Sequence, residues 1–226
     1  MLGGCGGAGA SVLAAVLAWC ATDSAGPAFL IDCDPLGGGI DVLLGCERVP
    51  GSRWGQVRLR GGSLDPAVLR DCLPNWHQVS VLAVDDPLAP DPEALVKLVA
   101  AAAPAGPVIL DLARWPSPVR TAALRSYDLA VLVTPAEVGA VAASAAIAGA
   151  LDRSRAGLVV RGPSTDLPPA RIGGLLGLPV LGRFGYEPAG RHPGGLDPRR
   201  IRRGTRQLAE AVLRQAAAAA EPVVAA

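Results

Sequence analysis

The chain has 226 residues and a mass of 22.9 kDa, enough for one domain with a sizeable core. Half of its residues are hydrophobic but only 4% are aromatic, so Ala, Val and Leu must fill that core. A net charge of +1 excludes a global field that would draw in nucleic acid or a membrane surface.

The apolar stretches are broken by Gly, Asp or Pro before they reach the ~18–20 residues that cross a bilayer. No charged segment leads into an apolar run and a cleavage site, so no signal peptide is expected. Five cysteines (Cys5, Cys20, Cys33, Cys46 and Cys72) show no CxxC spacing, which argues against metal clusters and disulfide frameworks and for a reducing cytoplasm. Lys97 is the sole lysine, so a phosphate site here must use arginine or nothing.

The chain begins with a glycine run, Gly3-Gly4-Cys5-Gly6-Gly7-Ala8-Gly9-Ala10-Ser11, which sets Gly4 and Gly9 at the spacing of a Walker A loop. Glycines let such a loop turn its N–H groups inward, and the helix that follows adds positive potential for phosphate. In the ordinary motif a lysine follows the last glycine, then a hydroxyl residue holds magnesium. Here those positions are Ala10 and Ser11, so the hydroxyl is kept and the lysine is absent. The alternative is a tight strand–helix turn with no ligand. Only Met1 and Leu2 precede the run, which predicts a sheet without its first strand.

Helices are predicted over Ala10–Ala21, Pro66–Cys72, Pro92–Ala102, Pro118–Ser126, Val138–Leu151, Pro169–Leu176 and Thr205–Ala219. Asp65-Pro66 and Asp91-Pro92 each put a capping carboxylate before a proline at the first helical position. Strands are predicted over Ala28–Ile31, Val79–Val84, Val108–Leu112, Leu129–Val133, Leu158–Val160 and Val180–Gly182. Most are apolar at consecutive positions, as in parallel strands buried on both faces. The alternation reads as an α/β fold: a doubly wound, mostly parallel sheet with helices on both faces. One domain is expected, with a core over about 3–185, a surface loop over 186–204 and a C-terminal helix over 205–220. The end, Glu221–Ala226, should fray.

Two acidic positions end predicted strands. Ala28–Ile31 runs into Asp32-Cys33-Asp34, then Pro35-Leu36 and three glycines. Val108–Leu110 runs into Asp111, in the manner of a Walker B strand. Carboxylates at the C-terminal ends of neighbouring parallel strands converge where such folds bind ligands, and could hold hydrated magnesium and orient a water. Alternatively, they cap the turns that follow.

In this order the motifs resemble the MinD/ParA ATPases with their deviant Walker A loop. The glycine run, together with Asp34-Pro35-Leu36-Gly37-Gly38-Gly39-Ile40-Asp41 and Arg53-Trp54, is similar to the actinobacterial CpaE-like group, some of which are named septum site-determining proteins and others of which lie beside pilus and secretion genes. The resemblance covers about residues 3–185. It implies a P-loop NTPase fold, ATP or ADP with magnesium as cofactors, and protein partners in division or in pilus and secretion machinery. It also implies homodimerisation, with no sequence-specific nucleic acid and at most peripheral membrane contact.

Carried over by position, residues Gly4 through Ser11 would bind nucleotide, Ser11, Asp32 and Asp111 would hold magnesium, and Asp34 would orient the attacking water. The family's signature lysine falls on Cys5 and its loop lysine on Ala10, so this degenerate site is expected to bind nucleotide weakly and hydrolyse it negligibly. The CpaE-like group also usually carries an N-terminal receiver-like domain, which is not found in these residues.

Other residues carry less. His77 beside Trp76 reads as a loop residue, and His192 lacks an acidic or hydroxyl neighbour in sequence. Arg199, Arg200, Arg202 and Arg203 read as a solvated basic face or, alternatively, a phosphate contact. Arg53 is a candidate for the missing positive charge, which would make the protein an active ATPase. A reading from another class is an NAD-linked oxidoreductase, since Gly4-x-Gly6-x-x-Gly9 also fits the dinucleotide fingerprint, with Asp32 as the ribose acid. Finally, the strands ending at Asp32 and Asp111 are expected to flank the slot of the missing strand.

Overall fold

The computed structural model describes residues 1–59, 64–85, 90–163, 167–187 and 194–220. Strands β1 (Leu2–Gly3), β2 (Ala28–Cys33), β3 (Asn75–Trp76), β4 (Val79–Leu82), β5 (Val108–Leu112), β6 (Ala130–Pro135), β7 (Ala156–Arg161) and β8 (Val180–Phe184) form one sheet. Their order is β3-β4-β2-β5-β1-β6-β7-β8, and every pairing is parallel except β3 with β4. The helices are α1 (Ala10–Ala25), α2 (Ile40–Leu44), α3 (Pro66–Cys72), α4 (Pro92–Ala102), α5 (Pro118–Ala123), α6 (Val138–Ala148), α7 (Pro169–Leu176) and α8 (Arg203–Ala220).

The capping signals act as read. Asp65 accepts from Ala67 N at 2.7 Å, and Asp91 from Ala94 N at 3.1 Å, each ahead of its proline. Ser117 does the same for α5 through Arg120 N at 3.0 Å. Side chains of the central strands alternate between two cores. Leu30 faces α1 and α8, whereas Phe29 and Ile31 face the helices on the other side. Burial on both faces explains why these strands read as unbroken apolar runs.

Two expectations are corrected. The first strand is not missing: Leu2 pairs with Leu112 and Leu132, and Gly3 pairs with Val133, so β1 fills the slot between β5 and β6. Nor do the strands bearing Asp32 and Asp111 flank it. They are direct neighbours, with Asp32 in register with Asp111, which places their Cα atoms about 5 Å apart. Some bounds also shift: α1 continues to Ala25, α5 stops at Ala123, α6 at Ala148, and α8 starts at Arg203 within the expected loop. Glu221–Ala226 and His192 lie outside the described residues. No helix among the described residues is long and apolar enough to cross a membrane.

Candidate functional site

The C-terminal ends of β1, β2 and β5 converge at one edge of the sheet. From β1 the chain enters the glycine loop, turns through a hydrogen bond from Ala8 N to Cys5 O at 3.3 Å, and starts α1 with Leu13 N donating to Gly9 O at 3.0 Å. Gly9 has φ +90°, the left-handed region that favours glycine. Gly4 is required for a different reason: a Cβ there would overlap the Ser144 hydroxyl of α6, which donates to Ala140 O at 2.7 Å and is hydrogen-bonded to the Thr134 hydroxyl at 2.9 Å.

The lysine position of the loop is occupied by a methyl group that belongs to the core. Ala10 is 8% exposed and belongs to the core on the side of the sheet that α1 and α8 cover. Cys5 is half-buried, and its thiol is pushed up by burial and by Glu137, with Arg114 and Arg161 opposing.

The acidic side is tightly built. Asp111, at the end of β5, is buried, with the Ser11 hydroxyl near enough to favour its charged form. Burial raises its carboxyl above the usual range, the Ser11 hydroxyl and the Met1 ammonium oppose this, and the charge of Asp34 adds a smaller push upward. Asp32, only 2% exposed, accepts main-chain N–H bonds from Asp34 and Ile40, both at 3.0 Å. Burial first, and then Asp111, raise it to about 7 against those two bonds. The two carboxylates thus share one buried place. Asp34 is half-buried and accepts from Leu36 N at 3.1 Å, which fixes the glycine-rich turn leading to α2.

One hydroxyl and two carboxylates are hard oxygen donors and suit Mg²⁺, which keeps several waters and shares ligands with phosphate. Among the described residues no three His, Cys, Asp or Glu side chains gather to hold an ion unaided. Ser11, Asp32 and Asp111 could therefore hold a magnesium ion in part, and the loop N–H groups could hold an anion.

Arg53 is corrected as a source of charge for the loop. It is 9% exposed, and its Nε donates to Asp41 Oδ2 of α2 at 3.0 Å. Its other nitrogens donate to the carbonyls of Cys46, Glu47, Val49 and Gly51. Arg53 therefore stitches the segment after α2 together. Next to it, Trp54 donates from Nε1 to Asp32 O at 2.6 Å.

The cation that meets the loop is one that sequence reasoning missed. Arg161, at the end of β7, donates from Nη1 to Gly7 O and lies over the rings of Phe184 and Tyr186, 5.7 and 5.4 Å away. With Gly7, Glu137, Arg183 and Arg202 it lines a cleft of about 660 Å³ beside the loop. A larger groove of about 850 Å³ lies elsewhere, between α4 and α5, and includes Lys97 and Arg125.

His77 sits in the two-residue turn of the β3–β4 hairpin, with φ +48°, as does Gln78 with φ +68°. Arg199, Arg200 and Arg203 are exposed, Arg200 paired with Asp197 at 3.5 Å. The dinucleotide reading meets a topological obstacle. In that fold the acid-bearing strand adjoins the first strand, whereas β5 separates β1 from β2 here.

No described protein family matches the chain by its sequence profile. Two proteins of Mycobacterium tuberculosis, from strains CDC 1551 / Oshkosh and ATCC 25618 / H37Rv and uncharacterized, are each 39% identical over 193 residues. The match covers 83% of this chain but 54% of each relative, so the chain spans about half their length. Among solved structures, a ParA family ATPase from Chlorobium tepidum has a TM-score of 0.74 at 16% identity, covering 96% of this chain and 95% of that one. MinD in a MinC:MinD complex from Aquifex aeolicus has a TM-score of 0.72 at 17% identity, with 94% and 93% covered. MinD of Pyrococcus horikoshii, complexed with Mg-ADP, has a TM-score of 0.67 at 16% identity, with 97% of each chain covered. With its eight-stranded, mostly parallel sheet, the chain has the fold of the MinD/ParA P-loop ATPases.

Proposed function

We propose that this chain is a MinD/ParA-like regulatory protein of the CpaE-like, septum site-determining group, and that it positions the division septum or a pilus or secretion apparatus in the cytoplasm. Residues 1–226 act as one P-loop NTPase-like domain. Its degenerate site binds ATP or ADP with magnesium weakly and turns ATP over negligibly.

The observation that carries this reading is the contrast within the site: Ser11, Asp32 and Asp111 are assembled at the sheet edge while Ala10 presents a buried methyl group. The loop's N–H groups and the start of α1 support weak anion binding, about millimolar. With Arg53 consumed by Asp41, no cation within the loop neutralises charge on a transferring phosphoryl group. The MinC complex of Aquifex MinD supports a protein partner as the functional output here, and the fold supports a homodimer as a second mode of association.

Titration calorimetry with ATP and ADP in magnesium, combined with a turnover assay, tests the nucleotide part. Weak binding without turnover is expected. A steady rate near the ~1 per second of a modest enzyme, abolished by Asp34→Ala, would overturn it. A fluorescent fusion that stays uniformly distributed through division and pilus assembly would overturn the positioning part.

A further inference from the structure

The cleft beside the glycine loop is cationic in a way that a neutral base and sugar do not require. Arg161 from the end of β7, Arg183 from β8 and Arg202 from the segment before α8 converge on it, against a single acid, Glu137, at its lining. Among the described residues none of the three arginines forms an ion pair with a carboxylate. Arg161 is held by the two aromatic rings and the Gly7 carbonyl, and Arg183 donates to Gly162 O at 3.0 Å. Buried Glu187 forms no ion pair with the Arg202 head group; its oxygens accept from the Arg202 main-chain N–H and the Thr205 hydroxyl. Guanidinium groups in this arrangement favour phosphate, which they can engage in pairs of parallel hydrogen bonds.

The cleft is also distinct from the bowl of the loop. Of the glycine-run residues only Gly7 lines it, and Ser11, Asp32 and Asp111 do not. Its position and charge therefore differ from those of a magnesium-phosphate site, while Gly7 and Arg161 join the two.

We propose that the ligand of this chain is a nucleotide carrying phosphate at two places, one on the glycine loop and a second, on the far side of the ribose, between Arg161, Arg183 and Arg202. This rests on the nucleotide reading above and adds the class of nucleotide. It also gives the loss of the loop lysine a counterpart, since positive charge has moved from the loop to its flank.

The test compares AMP, ATP, adenosine 3′,5′-bisphosphate and inorganic phosphate by calorimetry, on the 226-residue chain and on its Ala10→Lys variant. The bisphosphate should bind at least about tenfold more tightly than AMP in both. The double variant Arg183→Gln/Arg202→Gln should bind the bisphosphate no more tightly than AMP, while keeping its melting temperature because both side chains are exposed. Equal affinity for AMP and the bisphosphate, or an increment that survives in the double variant, overturns the proposal. Inorganic phosphate competing as well as the bisphosphate overturns it too, by showing an anion site with no claim on a nucleotide. If Ala10→Lys binds ATP while the bisphosphate gains nothing, only this inference fails. If Ala10→Lys binds no nucleotide at all, the underlying nucleotide reading fails with it.

Discussion

The two halves of the site differ in how much each can still do. On the β2–β5 side, Asp32 and Asp111 are buried with half-buried Ser11 beside them, and Asp32 is held by a network that reaches through Trp54 and Arg53 to α2. On the loop side the backbone conformation is intact, with Gly9 in its left-handed turn and Gly4 pressed against α6, but the side chains that would meet phosphate are a thiol and a methyl. A phosphate loop is thus two separable devices: a backbone cradle fixed by sterics, and a charge that can be removed without disturbing it.

The strongest way to break the contrast is to undo the acidic side's support. Arg53→Ala should destabilise the protein by about 3–5 kcal/mol, since it strands a buried Asp41 carboxylate and several carbonyls. Chemical denaturation would show this, and a loss under about 1 kcal/mol would mean the network is slack.

The second test uses pH. Asp32 has a folded pKa of about 7, above its ordinary 3.8, so the folded state holds its proton more firmly than the unfolded chain does. Stability from this group is full below about pH 3.8 and is lost as pH climbs towards 7, then levels off. The melting temperature should therefore fall between pH 5 and 8 without magnesium. Asp111→Asn should flatten that fall, because a charge facing Asp32 is gone. A wild-type melting temperature that rises over this interval refutes the shared-carboxylate description.

The third test restores the loop. Ala10→Lys should tighten ATP binding by at least about tenfold, since a charged hydrogen bond contributes ~1.5–3 kcal/mol. Cys5→Lys should do less in a monomer. If a folded Ala10→Lys protein binds ATP no better than its parent, the loop is a structural turn.

The smallest expected effect is a control away from the site. Ser80 in β4 is fully buried with its hydroxyl unpartnered among the described residues, so Ser80→Ala should stabilise by up to about 1 kcal/mol. Nucleotide affinity should stay the same. A change in affinity would show that the sheet and the site are not independent.

Much of this was legible in the sequence because local chemistry signalled it. Asp-Pro pairs marked α3 and α4 to the residue, and apolar runs marked most strands of the parallel sheet. The acidic side was legible for the same reason, since Asp32 and Asp111 each end such a run. What escaped had no local signal. Two residues of β1 carry no periodicity, and β3 shows only as Trp76 before a turn in which a histidine and a glutamine take positive φ without any glycine.

Strand order is set by crossovers, which neighbouring residues do not encode. Arg53 read as a free cation because its partner Asp41 is twelve residues away across a short helix. Arg161 escaped because it is one arginine among many, one residue past the predicted end of its strand, and its partner Gly7 is 154 residues away.

The hydrogen bond from Trp54 to the Asp32 carbonyl also gives the site an optical consequence. A buried indole whose N–H is tied to the very residue that titrates near neutrality should change its emission when that carboxylate gains a proton or a cation. Trp76 is buried in the core at the β3–β4 hairpin, Trp115 lies by Arg114, and Trp19 is covered by Arg206, 4.6 Å from its ring. Replacing those three with phenylalanine would leave one emitter, so that a plain fluorescence titration could follow the acidic half of the site without a label, a crystal or a turnover assay.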